Sequence, residues 1–267
     1  MEKDFNHYLD LNQKSWNNKV DVHLESDFYD MAGFANGGSS LKEIELALLG
    51  DIKGKKILHL QCHFGQDSLS LARMGAEVTG IDLSDKAIEK AKEISSTMNI
   101  PCRFICTDVY SVPEVLTEQF DIVYTSYGTI GWLPDLDKWA SVIKQMLKPG
   151  GQFIFVEFHP VVWMFDDDFK EIAYSYFNKG EIIETESGTY ANRDANIQQK
   201  YVCWNHSLSE VFQALIKQKI EILDFQEYAF SPYPCFKNTQ ELEKGRFTIK
   251  SLNHEIPMAY SLIGLKK

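Results

Sequence analysis

Two aspartates and one glycine occupy the positions from which this chain could hold a ligand. In LHLQCHFGQDSLSLARMGAEVTGID, from Leu58 to Asp82, Gly65 separates an apolar run from a helix-period run, and Asp82 ends the next apolar run 17 residues later. Glycine at such a turn lets backbone approach a ligand closely or take a positive φ, which a side chain hinders. An acid at about that distance from the loop can accept both hydroxyls of a ribose. Asp108 ends a third run, CRFICTD, where its carboxylate can accept from the exocyclic amino group of a purine. Three polar anchors at three successive strand tips suit an adenosine. Either acid alone would read as a cap on the helix behind it; both together, in register with Gly65, favour the nucleoside.

Such anchors need a frame that gathers strand tips, and the chain supplies its rhythm. Strands are expected over 55–60, 77–82, 102–108, 120–126 and 152–158. Between them lie helical segments over 67–75, from Ser84 through SDKAIEKAKEISSTM, in VPEVLTE and over 135–151, with Trp139, Val142, Ile143, Met146 and Leu147 on the buried face of the last. Apolar β-rich runs alternating with helix-period runs indicate an α/β doubly wound sheet. The rhythm breaks over 159–206 and resumes with a capping box at Ser207 and Glu210, a helix through Lys217, a strand over 220–230 and a closing strand over 256–267. This gives one domain: an N-terminal cap (1–45), a cofactor-binding core (46–158), an inserted substrate lid (159–206) and the C-terminal part of the sheet (207–267).

In an open parallel sheet the ligand sits beyond the carboxyl ends of the strands, so four loops converge: Gln61 to Gln66, Asp82 with Leu83, Asp108 with Val109, and Ser126 to Gly128. A nicotinamide enzyme would place G-x-G-x-x-G here to hold a pyrophosphate at the helix start. Residues 63–68 instead read H-F-G-Q-D-S, with Asp67 bringing negative charge to the place of that phosphate. A nucleoside without phosphates fits better, and S-adenosylmethionine is the common one.

ILHLQCHFGQDSLSLA, GIDLSDKAIEKA, FICTDVY, FDIVYTSYG and LKPGGQFIFVE, in that order, resemble motifs one to five of the class I S-adenosylmethionine-dependent methyltransferase family. The resemblance spans roughly 45–160 and returns in the last fifty residues. More narrowly, LHLQCHFGQD and WLPDL are similar to a bacterial branch of that family. It implies a Rossmann-like sheet, mostly parallel with an antiparallel last strand, and S-adenosylmethionine as cofactor. By position Gly65 matches the last glycine of the family's loop, Asp82 the ribose acid, Asp108 with Val109 the adenine contact, and Ser126 with Tyr127 the residues beneath the methionine and methyl group. The first motif departs from acid-x-G-x-G-x-G: His59 stands at the acid, Gln61 at the first glycine and His63 at the second. Gln61 is expected to offer a carbonyl acceptor, His63 a side chain over the cofactor, and His59 to be a buried strand residue with a satisfied ring.

Methyl transfer from a sulfonium mainly needs alignment of the nucleophile, so no catalytic triad is expected. If the acceptor must lose a proton, His159 after the fifth strand and His206 before the late helix are candidate bases, each with a structural role as the alternative. Aromatics of the cap and lid, Tyr29, Trp163, Trp204 and Tyr233 among them, suit a small, partly apolar or cationic substrate. Strand four ends in TSYG without the Pro-Pro-aromatic of nucleobase amino methylation.

The balance of 27 Lys and Arg against 38 Asp and Glu, a formal charge of −11, argues against nucleic acid or an anionic membrane as partner. Five scattered cysteines without a CxxC pair indicate neither a disulfide framework nor a thiolate metal site, and no run of about 20 apolar residues is present. Asp166 to Asp168 read as a solvated turn, and no metal is expected. The expectation is a cytoplasmic methyltransferase acting on a small molecule. The alternative is a non-catalytic protein binding S-adenosylmethionine or adenosine, and a nicotinamide oxidoreductase ranks third.

Overall fold

Strand burial follows from side-chain alternation at the centre of the sheet, where Ile57 faces one helical layer and Leu58 and Leu60 face the other. The structure, a computed structural model, describes residues 2–252 and 254–267; Met1 and Asn253, within the expected cap and C-terminal part, lie outside the described residues. In chain order the α-helices and strands are α1 (Glu2–Leu24), α2 (Met31–Ala35), α3 (Glu43–Leu49), β1 (Lys56–Leu60), α4 (Gln66–Arg73), β2 (Glu77–Asp82), α5 (Asp85–Met98), β3 (Arg103–Cys106), α6 (Val112–Val115), β4 (Phe120–Ser126), α7 (Leu136–Met146), β5 (Leu147–Phe158), β6 (Ile182–Ser187), β7 (Gln198–Cys203), α8 (Leu208–Lys217), β8 (Ile220–Tyr228), β9 (Thr239–Glu243), β10 (Arg246–Ile249) and β11 (Ala259–Lys266).

Seven strands form the main sheet in the order β3-β2-β1-β4-β5-β11-β8. The pairs from β3 to β5 are parallel, whereas β11 runs antiparallel to both β5 and β8. This is the doubly wound α/β sheet with an antiparallel last strand that the sequence implied. One face packs on Trp139, Ile143 and Leu215 of α7 and α8, the other on Leu49 of α3 and Leu71 of α4. The strand order reverses between β1 and β4, so the loops after both open onto one crevice.

Two differences from the sequence reading have local causes. The helix expected over 135–151 ends at Met146, because Pro149 disfavours helical backbone at Lys148 and the chain is extended from Leu147 (φ −76°, ψ 139°). A β9–β10 hairpin, turning at Gly245 with φ 76°, occupies the stretch before the closing strand, where no element was read. The break over 159–206 holds the antiparallel β6–β7 pair.

α1 joins the core to this insertion. Asn12 on α1 is buried; its Nδ2 donates to the Val202 carbonyl at 2.9 Å and its Oδ1 accepts from the Val202 N–H at 2.9 Å. Truncation would leave both backbone groups of β7 unpaired, at about 1–3 kcal/mol each. Asn12→Ala is therefore expected to lower unfolding free energy by at least about 2 kcal/mol in urea titrations, whereas a change below about 0.5 kcal/mol would place the helix free of β7 in solution.

Candidate functional site

The loops at the switch point surround a cavity of about 370 Å³, within the size range of small-molecule sites. Gln61, His63, Gly65, Gln66, Asp82, Leu83, Asp108, Val109, Ser126 and Tyr127 all line it. Cap residues Trp16, Phe28 and Tyr29, Tyr190 of the insertion and Tyr233 after β8 add an aromatic wall. The Tyr29 and Tyr190 hydroxyls meet at 2.5 Å, and Tyr233 stacks on Phe28 with centroids 5.5 Å apart.

The loop after β1 takes left-handed backbone at alternate residues: Gln61 (φ 56°), His63 (φ 52°) and Gly65 (φ 78°). These are the three positions where the resembling family has glycine. Each non-glycine residue in this region costs roughly 1–2 kcal/mol, and here the side chains that replace hydrogen make tethers. Gln61 Nε2 donates to the Thr129 carbonyl at 2.9 Å, tying the loop to the one after β4. His63 Nε2 lies 3.0 Å from Nδ1 of His23 on α1, and its backbone N–H donates to Asp82 Oδ2 at 2.8 Å. Burial above all, with the nearby charge of Lys19, lowers His63 to about 3 and His23 to about 2, so the pair is neutral and shares one N–H. Gly65 has the expected positive φ, but a Cβ there would meet the Phe104 ring at 2.5 Å, so its close approach is to the packed β3 side chain.

Cap and anchor prove compatible for the two acids. Asp82 Oδ1 accepts from Ser84 N–H at 2.8 Å while Oδ2 holds His63, and Asp108 Oδ1 accepts from Tyr110 and Ser111 N–H at 2.9 and 3.1 Å. Fixed this way, both carboxylates border the cavity with lone pairs to spare. Burial pushes Asp82 up to about 6, against the opposing pull of the backbone N–H groups.

Several residues of the site had no signal in the sequence. Glu157, buried on β5, accepts from the N–H groups of Gly128, Thr129, Ile130 and Phe158 and from the Thr129 hydroxyl, so one carboxylate shapes the loop after β4. Lys42 borders the cavity beside Asp67, whose charge at the helix start the sequence did show, and buried Glu45 of α3 accepts from the Tyr127 hydroxyl at 2.7 Å. Gln61 Oε1 and His63 Nδ1 are buried without a hydrogen-bond partner.

Four expected residues lie outside the lining. His159 Nε2 is 2.8 Å from Glu227 Oε1 while its Nδ1 accepts from Val161 N–H, and His206 donates from Nε2 to the Leu133 carbonyl with Nδ1 3.0 Å from Glu210; both rings are engaged elsewhere and neither lines the cavity. Trp163 packs on Phe158 and Phe236, and Trp204 meets Tyr8 edge-on at 5.4 Å. His59 is a buried strand histidine as expected, its Nδ1 2.8 Å from Ser68 Oγ, and it also borders the cavity. Asp166 accepts from Lys170 and Glu171 N–H groups in an exposed turn.

Residues 57–151 match a family described as a methyltransferase domain. The chain is 25% identical over 266 residues to an uncharacterised protein of Haemophilus influenzae, covering 91% of this chain and 96% of that one. It is 35% identical over 134 residues to an uncharacterised methyltransferase of Synechocystis sp., which takes in 48% of this chain but only 59% of that relative's length. Among solved structures, a geranyl diphosphate C-methyltransferase of Streptomyces coelicolor in complex with S-adenosyl-L-homocysteine aligns with a TM-score of 0.60 at 15% identity over 97% of this chain and 98% of that one. An S-adenosylmethionine-dependent methyltransferase of Clostridium acetobutylicum aligns with a TM-score of 0.57 at 14% identity over 95% and 98%.

The strained loop makes an ordering of variants predictable. Gln61→Gly and Gln61→Ala both lose the Thr129 tether, but only glycine relieves the left-handed backbone. The glycine variant should be the more stable by about 1 kcal/mol in chemical denaturation; the reverse order would mean that residue 61 carries no strain.

Proposed function

We propose that this chain, whose residues 57–151 match a methyltransferase domain, is a class I S-adenosylmethionine-dependent methyltransferase that moves the methyl group of S-adenosylmethionine to a small molecule held in the aromatic-walled cavity. The observation that carries this reading is a set of underused acceptors on one cavity: the Asp82 and Asp108 carboxylates and the buried, partnerless Gln61 Oε1. Their chemistry fits the cofactor. Asp82 would take the ribose hydroxyls, Asp108 with Val109 the adenine, and Gln61 the methionine ammonium, with Leu83 and Gln66 as further walls. Lys42, on the cavity edge, is suited to the methionine carboxylate.

When bound, S-adenosylmethionine supplies a methyl group already activated by its cationic sulfur. The chain's own part is to align and to exclude water. Ser126 ends β4 and Tyr127 opens the loop pinned by Glu157 and Gln61, so their placement does not depend on solvent. Orientation of this kind is worth roughly 7–11 kcal/mol when the reacting atoms are held in line. The insertion over 159–206 would act as a lid through Tyr190, whose hydroxyl meets Tyr29 of the cap. The charge of −11 supports a small acceptor over nucleic acid. No helix among the described residues is long and apolar enough to cross a membrane.

Calorimetry with S-adenosylhomocysteine tests the reading. Asp82→Ala should weaken binding at least about tenfold, equivalent to about 1.4 kcal/mol, with unchanged secondary structure. In the wild type, affinity should also fall as pH drops below about 6, where Asp82 takes a proton and loses acceptor strength, and Asp82→Asn should lack this step. Unchanged affinity in a folded Asp82→Ala variant would refute the assignment.

A further inference from the structure

Asp67 on the cavity wall and Glu45, which lies behind the lining residue Tyr127, have no ion-pair partner among the described residues. Asp67, at the start of α4, borders the cavity. Glu45 has no exposed surface; its Oε2 accepts from the Tyr127 hydroxyl at 2.7 Å and its Oε1 from the Lys42 N–H at 2.7 Å. Burial, with the charge of Asp67 behind it, pushes Glu45 up to about 7, and burial raises Asp67 as well. Lys42 softens this field at Asp67, yet its ammonium lies 4.8 Å from the Tyr233 ring centroid instead of pairing with either acid. The hydroxyl of Tyr124, a residue without exposed surface, stands in the field of both acids and near Ser126 but closes no hydrogen bond of ordinary geometry.

The surroundings of Tyr127 are aromatic. Tyr127 meets Tyr233 edge-on at 5.1 Å, Tyr233 stacks on Phe28 at 5.5 Å, and Phe28 meets Tyr190 at 5.3 Å. Two like charges in a desolvated site repel, and a bound cation relieves both the repulsion and the desolvation cost. Ring faces attract the same cation. An anion or a phenolate would meet Asp67 here with Glu45 behind Tyr127, and a neutral alcohol would leave them uncompensated.

We propose that the methyl acceptor is a primary or secondary amine, bound as its ammonium against the Asp67 carboxylate and the Tyr127 hydroxyl that Glu45 backs, among the rings of Tyr127, Tyr233 and Phe28. This rests on the methyltransferase reading and names its substrate class. Before transfer the ammonium must lose a proton. Tyr127 passes its hydroxyl proton to Glu45 and takes one from the ammonium, which leaves a neutral amine with a free lone pair. The lone pair forms the new N–C bond to the methyl carbon while the C–S bond breaks with its electrons going to sulfur. The products are a methylated ammonium, a neutral thioether and a protonated Glu45, which returns its proton to solvent.

Calorimetry separates this inference from the reading beneath it. S-adenosylhomocysteine is titrated first; absence of binding removes both. The loaded protein is then titrated with 2-phenylethylamine and cyclohexylamine and with their alcohol isosteres, 2-phenylethanol and cyclohexanol. At least one amine should bind about tenfold or more tighter than its alcohol. That preference should vanish in Glu45→Gln and shrink in Tyr127→Phe, with affinity for S-adenosylhomocysteine retained in Glu45→Gln and folding checked by thermal melts. Alcohols binding as tightly as amines, amines failing to bind, or a preference that survives both variants would overturn the proposal. So would amines that bind only without S-adenosylhomocysteine, since the acids would then serve the cofactor's own ammonium.

Discussion

The loop after β1 turns through left-handed backbone at Gln61, His63 and Gly65, and two of the three carry side chains. Roughly 1–2 kcal/mol of strain per non-glycine residue has to be offset by contacts that exist only in the folded state. Those contacts reach in three directions: Gln61 to the Thr129 carbonyl, the His63 N–H to Asp82, and the His63 ring to His23. At about 0.5–1.5 kcal/mol for each neutral bond, and more for the bond to a carboxylate, no single tether suffices but the set does. The loop after β1 is therefore held in shape by its neighbours, where a glycine-rich loop would be permissive on its own. β2, the loop after β4 and α1 become parts of one unit.

The same tethers explain the electrostatics of the cavity. Glu157 takes up the backbone N–H groups of the loop after β4, and Asp82 and Asp108 take those at the starts of their following segments. These carboxylates shape the backbone without consuming all their lone pairs. Burial raises Asp67 and Glu45 as it raises Asp82 and Glu157, and in each the hydrogen bonds only partly oppose it. On the proposed reading, a site with this balance would discriminate by charge, tolerating a sulfonium and an ammonium and resisting phosphate, in agreement with the lack of a pyrophosphate loop.

Much of this was legible in the residues. β2 and β4 begin and end where the sequence placed them, since apolar runs bounded by helix caps leave little freedom. Asp82, Asp108 and Gln61 were readable because each follows a strand whose tip must face the crevice. What escaped depends on side-chain direction and distant register. Glu157 lies within an apolar run, FIFVEF, and nothing local says that its side chain turns toward residues 128–130. His23 and His63 are 40 residues apart and meet only because α1 crosses the loop. His159 and His206 looked suited to proton transfer from their place at element ends, but Glu227 and the Leu133 carbonyl, far away in sequence, capture their rings. Trp163 and Trp204 were read from aromatic content alone, which does not distinguish a cavity wall from packing elsewhere.

The tethered loop as a nucleoside-holding unit is the central claim, and a crystal structure of the complex with S-adenosylhomocysteine tests it most directly. The account predicts both ribose hydroxyls on the Asp82 carboxylate, the methionine ammonium on Gln61 Oε1, and positive φ retained at Gln61 and His63. A ligand whose ribose lies away from Asp82, or a loop that abandons the left-handed backbone to admit it, would contradict the account.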